Sequence, residues 1–159
     1  MSAEQGRAGN QFLTFLLAGE EYGVDILRVQ EIKGWDKVTR LPQAPEFVLG
    51  VINLRGAVVP IVDLRRRFAL EPVPPGPTTV VIVVKVDGQR GERTVGIVVD
   101  AVSEVYNVPA DAIRPPPEVT GNVDTAFVKG LASVGEKMVI LLDIDMLINT
   151  SVEAAQAAA

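Results

Sequence analysis

Apolar residues in this chain come in short runs of Val, Ile and Leu, broken every few positions by Gly, Pro, Asn or Asp. Runs of that length and composition predict β-strands, because branched side chains pack well on a pleated surface. Strands are expected over residues 11–17, 22–24 and 29–34, the first two joined by a turn at residues 18–21. Residues 50–54 and 57–63 predict two more about a tight turn containing Gly56. Residues 78–86 and 93–105 predict two long strands, and residues 127–134 and 137–142 a further hairpin. Pro60 has no N–H to give to a ladder, so its strand is expected to lie at an edge or carry a bulge. Helix is expected only in brief pieces, over residues 45–49, 64–68, 109–113 and 143–149, the last capped by Asp143. Residues 70–77, with Pro72, Pro74, Pro75 and Pro77, read as a stiff connector. Residues 114–122 read as a loop, and the alanine-rich residues 151–159 as a tail.

The pattern also repeats. Tyr22-Gly23-Val24-Asp25-Ile26-Leu27-Arg28-Val29-Gln30-Glu31-Ile32 aligns with Val95-Gly96-Ile97-Val98-Val99-Asp100-Ala101-Val102-Ser103-Glu104-Val105 at an offset of 73 residues. Phe47-Val48-Leu49-Gly50-Val51 aligns with Phe127-Val128-Lys129-Gly130-Leu131 at an offset of 80, and residues 58–64 align with residues 138–144. Two copies are too few for a solenoid and predict two similar units packed together. Each copy offers about five short strands, which cannot form a flat sheet covered on both faces. Closure into a small barrel removes the edges. The expected fold is mainly β: two five-stranded barrels related by a pseudo-twofold repeat, with short helices and a shared hydrophobic seam. Residues 11–150 are read as one unit, divided into about 11–70 with 145–150, and 78–144, with room for strand exchange between them.

Charge and composition remove several function classes. The net charge is −5 and the pI about 4.8, which argues against a nucleic-acid protein with a basic footprint. The chain has no cysteine and no histidine. Disulfides, thiolate nucleophiles, imidazole–zinc sites, Ser-His-Asp chemistry and a phosphorelay histidine are therefore excluded. The N-terminal residues are polar and do not read as a signal peptide, and no apolar run is long enough to span a bilayer. A cytoplasmic protein without direct membrane insertion is expected.

The conspicuous difference between the copies is Asn53-Leu54-Arg55-Gly56 against Ser133-Val134-Gly135-Glu136. Arg55 reads either as a guanidinium held out for a partner's carboxylate or carbonyls, or as a solvated turn residue. Glu31 and Glu104 occupy matching positions, as loop-ordering carboxylates or as ordinary outward-facing strand residues. Arg65-Arg66-Arg67 reads chiefly as a solvated basic face. Trp35 is either an exposed interface anchor or a half-buried cover for a barrel end. Gly23, Gly96, Gly50 and Gly130 fit no phosphate-binding motif and read as bulges or close backbone approaches. No catalytic motif emerges.

Residues 20–32, then Gly50-Val51-Ile52-Asn53-Leu54-Arg55-Gly56, then Val59-Pro60-Ile61-Val62-Asp63-Leu64-Arg65, closely resemble the CheW family of bacterial chemotaxis coupling proteins. Residues 95–105 and Ile113-Arg114-Pro115 extend the resemblance over roughly residues 11–149. It implies two SH3-like barrels, no enzymatic activity and no cofactor. It implies a scaffold that bridges the cytoplasmic hairpin tip of chemoreceptors to the regulatory domain of the histidine kinase CheA. It also implies receptor-binding roles at Val29, Glu31, Gly50 and Arg55, with Val98 as a further groove residue. The kinase domain shares this fold; the chain is read as free-standing. Alternatives are a coupling protein of another receptor-linked system, such as twitching motility, or a hydrolase or ligand-binding barrel using the cleft between the lobes. A nucleic-acid-binding barrel is disfavoured by the acidic charge.

Overall fold

The computed structural model describes residues 11–88, 91–116 and 125–150. Eleven strands are named: β1 (Gln11–Leu17), β2 (Glu20–Asp25), β3 (Val29–Gly34), β4 (Val48–Leu54), β5 (Ala57–Asp63), β6 (Val80–Gly88), β7 (Gly91–Val99), β8 (Ala101–Asn107), β9 (Ile113–Arg114), β10 (Val128–Val134) and β11 (Lys137–Leu142). Helix α1 covers Leu64–Arg67, and α2 is helical over residues 144–150. Short 3-10 turns sit at Ile26–Arg28, Ala110–Ala112 and Thr125–Phe127.

The strands form two sheets, in the orders β8-β1-β2-β11-β10-β9 and β3-β6-β7-β5-β4. We call these the first and second barrels. The orders superpose on one another: β3, β6, β7, β5 and β4 correspond to β8, β1, β2, β11 and β10. Each contains one parallel pair, Ile61↔Gly96 and Leu141↔Gly23, at equivalent places in the two copies. The second barrel is rounded off by a Thr39↔Val51 bridge, and the first by β9, which pairs Arg114 with Leu131. The sheets do not follow the sequence halves. β2 pairs in parallel with β11, and β7 with β5, so each copy sends its first two strands, β1–β2 or β6–β7, into the barrel built on the later strands of the other.

This exchange corrects one strand. Residues 93–105 are not continuous: the chain bends at Asp100, where β7 of the second barrel ends and β8 of the first begins. Residues 45–49 also differ from the helical reading. A turn closed by Val48 N–H to the Pro45 carbonyl at 3.0 Å leads straight into β4, because Val48 pairs with Val62. Pro60 lies in an interior strand of its sheet. The ladder to β7 begins only at Ile61, so the missing donor falls just outside the paired stretch. Helix α2 is capped as expected, with Met146 N–H donating to Asp143 Oδ1 at 3.1 Å. Arg114 of the expected loop belongs to β9; residues 117–122 and 151–159 lie outside the described residues.

Three apolar clusters fill the molecule. Phe12, Val108, Ala132, Val139 and Leu141 fill the first barrel, and Leu54, Val59, Ile61, Val81, Val83 and Val98 the second. The largest cluster lies between them and includes Phe15, Leu17, Val24, Leu64, Ile82, Val84, Ile97, Leu142 and Leu147. Strand β6 shows why its sequence is continuously apolar: Val81 and Val83 face the barrel interior, while Ile82 and Val84 face the shared seam. Gly96 is demanded by the same geometry. A Cβ there would meet Ile61 Cδ1 and Val81 Cγ1 at 2.7 Å each.

Arg67 of α1 sits where the copies meet. Its guanidinium carbon lies 5.3 Å from the ring centre of Phe47 and 4.5 Å from that of Phe127, equivalent residues of the two copies. A planar cation between two ring faces favours both contacts. Arg67→Ala is expected to lower stability by about 1–2 kcal/mol in urea unfolding, with Arg67→Lys recovering part of it. A loss below about 0.3 kcal/mol in the alanine variant would show the stacking to be without consequence.

Candidate functional site

The β4–β5 hairpin turns at Arg55 and Gly56, both with positive φ, 51° and 91°. Asn53 Oδ1 accepts from Gly56 N–H at 2.8 Å, which fixes the turn. Arg55 is thereby held outward, with its side chain 65% exposed. It is not solitary. Its guanidinium grips Glu31 with both ends of the fork, Nη2 to Oε1 at 2.7 Å and Nη1 to Oε2 at 3.3 Å. Glu31 lies on β3 and Arg55 at the end of β4, the two outermost strands of the second barrel. The ion pair therefore ties the open edges of that sheet together. The hydrogen bonds from Arg55 hold the Glu31 carboxyl below its ordinary range, and Glu31 raises the Arg55 guanidinium further.

The first barrel handles the equivalent edge differently. Its hairpin carries no arginine, and Glu104 accepts from the Tyr106 hydroxyl at 3.1 Å. The asymmetry between the copies is thus an ion clasp present in one barrel only.

The other three candidates sit at different depths behind this pair. Val29 is half-buried and packs against the shared seam. Gly50 is buried in β4, hard against the backbone of Thr39. Val98 is 8% exposed and packs in the interior of the second barrel. It opens instead onto a cleft of about 400 Å³, whose walls include Trp35, Val38, Arg40, Leu49 and residues 72–75. Trp35 is half-buried against that barrel's core. The cleft lies at the Asp63 end of β5 and Arg55 at the other, separated by a strand of roughly 20 Å.

The basic run is not a solvated face. Arg65 is bound to Asp100, Nε to Oδ1 at 2.8 Å and Nη2 to Oδ2 at 2.7 Å. Arg66 pairs with Glu46 at 2.7 Å, and Arg67 is stacked between its two rings. A second such tie runs from Arg28 to Asp145 at 2.7 Å. Arg65 and Asp145 are equivalent residues at the 80-residue offset. Each crossover between barrels is therefore fastened to a helix by an ion pair, with the charges reversed in the two copies. The repeat offset carried this signal, but the partners on the crossovers are brought near only by folding.

Among the described residues, no group of three or more His, Cys, Asp or Glu is placed to hold a metal ion. Among the described residues lining the cleft, the two carboxylates are both engaged, Asp63 by Arg66 and Asp100 by Arg65.

Comparison with known proteins places this arrangement. A family profile described as a CheW-like domain matches residues 11–152. The chain is 50% identical over 142 residues to the chemotaxis protein CheW of Klebsiella aerogenes, covering 89% of this chain and 83% of that one. It is 31% identical over 157 residues to protein FrzA of Myxococcus xanthus, covering 98% and 95%. The crystal structure of the scaffolding protein TtCheW from Thermoanaerobacter tengcongensis superposes with a TM-score of 0.80 at 38% identity, covering 87% of this chain and 92% of that one. With its two interlaced β-barrels and a profile match over nearly its whole described length, this chain belongs to the CheW-like family.

Proposed function

We propose that this protein is a non-catalytic scaffold of a chemotaxis system, coupling the cytoplasmic hairpin tip of chemoreceptors to the regulatory domain of CheA. The observation that carries the reading is the Arg55 hairpin: a guanidinium presented on a rigid turn, exposed, and held in register by Glu31. Such a group can release or share its fork with carbonyls or a carboxylate on a docking helix. Val29 and Gly50 would act by setting β3 and β4, which carry the pair, while Val98 would act from inside the barrel. Kinase docking would use apolar surface flanking these strands. Ile32 and Val58 are 44% and 69% exposed in the second barrel, and their equivalents Val105 and Met138 are 47% and 55% exposed in the first. Paired apolar patches on pseudo-symmetric barrels suit end-to-end stacking on a partner of the same fold. No helix among the described residues is long and apolar enough to cross a membrane. Recruitment from the cytoplasm to a receptor array, where linked weak contacts gain from effective concentration, fits that reading.

The test is co-sedimentation and titration with a receptor cytoplasmic hairpin and with a CheA regulatory domain. Arg55→Glu, folded by circular dichroism, is expected to bind the receptor hairpin at least about tenfold more weakly, or 1.4 kcal/mol, while keeping the kinase. The double variant Glu31→Arg/Arg55→Glu rebuilds the clasp with its charges exchanged. It is expected to remain as weak toward the receptor. Recovery in the double variant would mean that Arg55 serves only barrel closure. If the wild type binds neither partner but does bind those of another receptor-linked system, the coupling role moves to that system.

A further inference from the structure

The cleft at the far end of β5 has a composition that the hairpin site does not explain. Its floor is apolar, made by Trp35, Val38, Leu49 and Val98. One wall is the proline-rich strap, residues 72–75, all exposed. A strap so rich in proline has little conformational freedom to lose, so it is a preformed wall. The volume, about 400 Å³, lies in the range of specific binding pockets.

Charge decides what fits. Five charged residues line the cleft: Arg40, Arg65, Arg66, Asp63 and Asp100. Arg65 is bound by Asp100, and Arg66 lies 3.3 Å from Asp63 and 2.7 Å from Glu46. Arg40 is exposed and makes no hydrogen bond or ion pair among the described residues. The cleft therefore combines an apolar floor with one uncommitted cation at its wall, in a chain whose net charge is −5.

We propose that this cleft is a second docking site, separate from the Arg55 hairpin, for an extended peptide segment of a partner protein. An apolar side chain sits on Trp35 and Leu49 against the proline strap, and an adjacent carboxylate pairs with Arg40. Burial of the apolar side chain supplies most of the affinity, and the arginine fork supplies selectivity for Asp or Glu.

Trp35 is the chain's single tryptophan, so its fluorescence reports on the cleft alone. The probe is the blocked peptide Ac-Gly-Leu-Glu-Gly-NH2, titrated into the full chain at low salt. A saturable shift in Trp35 emission is expected, about tenfold weaker for the Leu-Gln analogue and for Arg40→Glu. Arg40→Lys should retain part of the affinity. Arg55→Glu should leave this titration unchanged, which separates a failure here from a failure of the receptor-binding reading. The proposal is overturned if no saturable shift occurs, if the Gln peptide binds equally well, or if Arg40→Glu has no effect. A shift produced by octanoate and not by the peptide would replace it with a small amphiphilic acid as ligand.

Discussion

Gly50→Ala is expected to lower stability by about 3 kcal/mol, in the upper range of overpacking substitutions. A Cβ at this position would overlap the carbonyl oxygen of Thr39 and lie 2.7 Å from its carbonyl carbon and 3.0 Å from Arg40 Cα. All three are backbone atoms, so no rotamer change relieves the clash. The segment that must retreat makes two hydrogen bonds with Val51, 2.8 and 2.9 Å, which help close the second barrel. Loss of each costs about 1 kcal/mol. For a domain of this size the midpoint of thermal unfolding should fall by roughly 10 °C. Gly19→Ala is the control: φ there is 83°, and a Cβ would meet nothing within 4 Å. Its loss reflects backbone conformation alone, about 1 kcal/mol. Equal losses in the two variants would refute the packing argument. The result bears on function as well. Gly50 has no side chain to offer a partner; under the proposed receptor-binding role, its part would be to let β4 lie close enough to Thr39 for the hairpin to meet Glu31.

The second large effect is expected at Asp100, where β7 leaves one barrel and β8 enters the other. Its carboxylate accepts two hydrogen bonds from Arg65 and one, at 2.9 Å, from Ala18 N–H of the β1–β2 turn. Its carbonyl accepts from the Thr78 hydroxyl at 2.9 Å, beside the proline strap. Asp100→Ala should cost about 2–3 kcal/mol in urea unfolding, a little less than breaking a fully buried pair because both side chains keep some solvent. A cost below about 0.5 kcal/mol would show the crossover to be held by packing alone. Exchanging the charges, Arg65→Asp with Asp100→Arg, should recover only part of the loss. The tie between Arg28 and Asp145 works with that polarity, but Ala18 N–H would lose its acceptor.

Acid should reveal the same group. Arg65 holds the Asp100 carboxyl below its ordinary value of 3.8. A depressed folded value means that the carboxylate adds stability above the unfolded value and loses it as pH falls from there through the folded one. The margin of wild type over Asp100→Asn should therefore be constant at neutral pH and shrink below about pH 4. Asp63 has the opposite sign: burial raises its carboxyl, so its contribution grows as pH falls. A margin that persists unchanged to pH 2 would place the stabilisation elsewhere than in the charge.

Much of this was legible in the chain. The strand-like runs, the cap at Asp143, and the repeat that gives two barrels all rest on local chemistry and self-similarity, which a sequence displays directly. The outward Arg55 was legible too, as a difference between copies. Its tie to Glu31, 24 residues away, was not, because nothing local says which edge strands a barrel brings face to face. The division of residues 93–105 at Asp100 was half-legible. The repeat aligns them with β2, a 3-10 turn and β3, yet an unbroken apolar run reads locally as one strand. The arginines at residues 65–67 read as a solvated run for the same reason: their acceptors, Asp100 and the rings of Phe47 and Phe127, arrive from distant segments.

What the sequence determined by itself, then, is most of the strands and turns, and the fact that they come twice. Only the tertiary structure decided that the copies interlace, that Val98 faces inward, and that Arg40, unlike Arg65 and Arg66, has no acid beside it among the described residues. Apolar periodicity says that a face is buried but not against what. An ion pair is chosen by distance after the chain has closed, and distance between remote residues is a property of the fold.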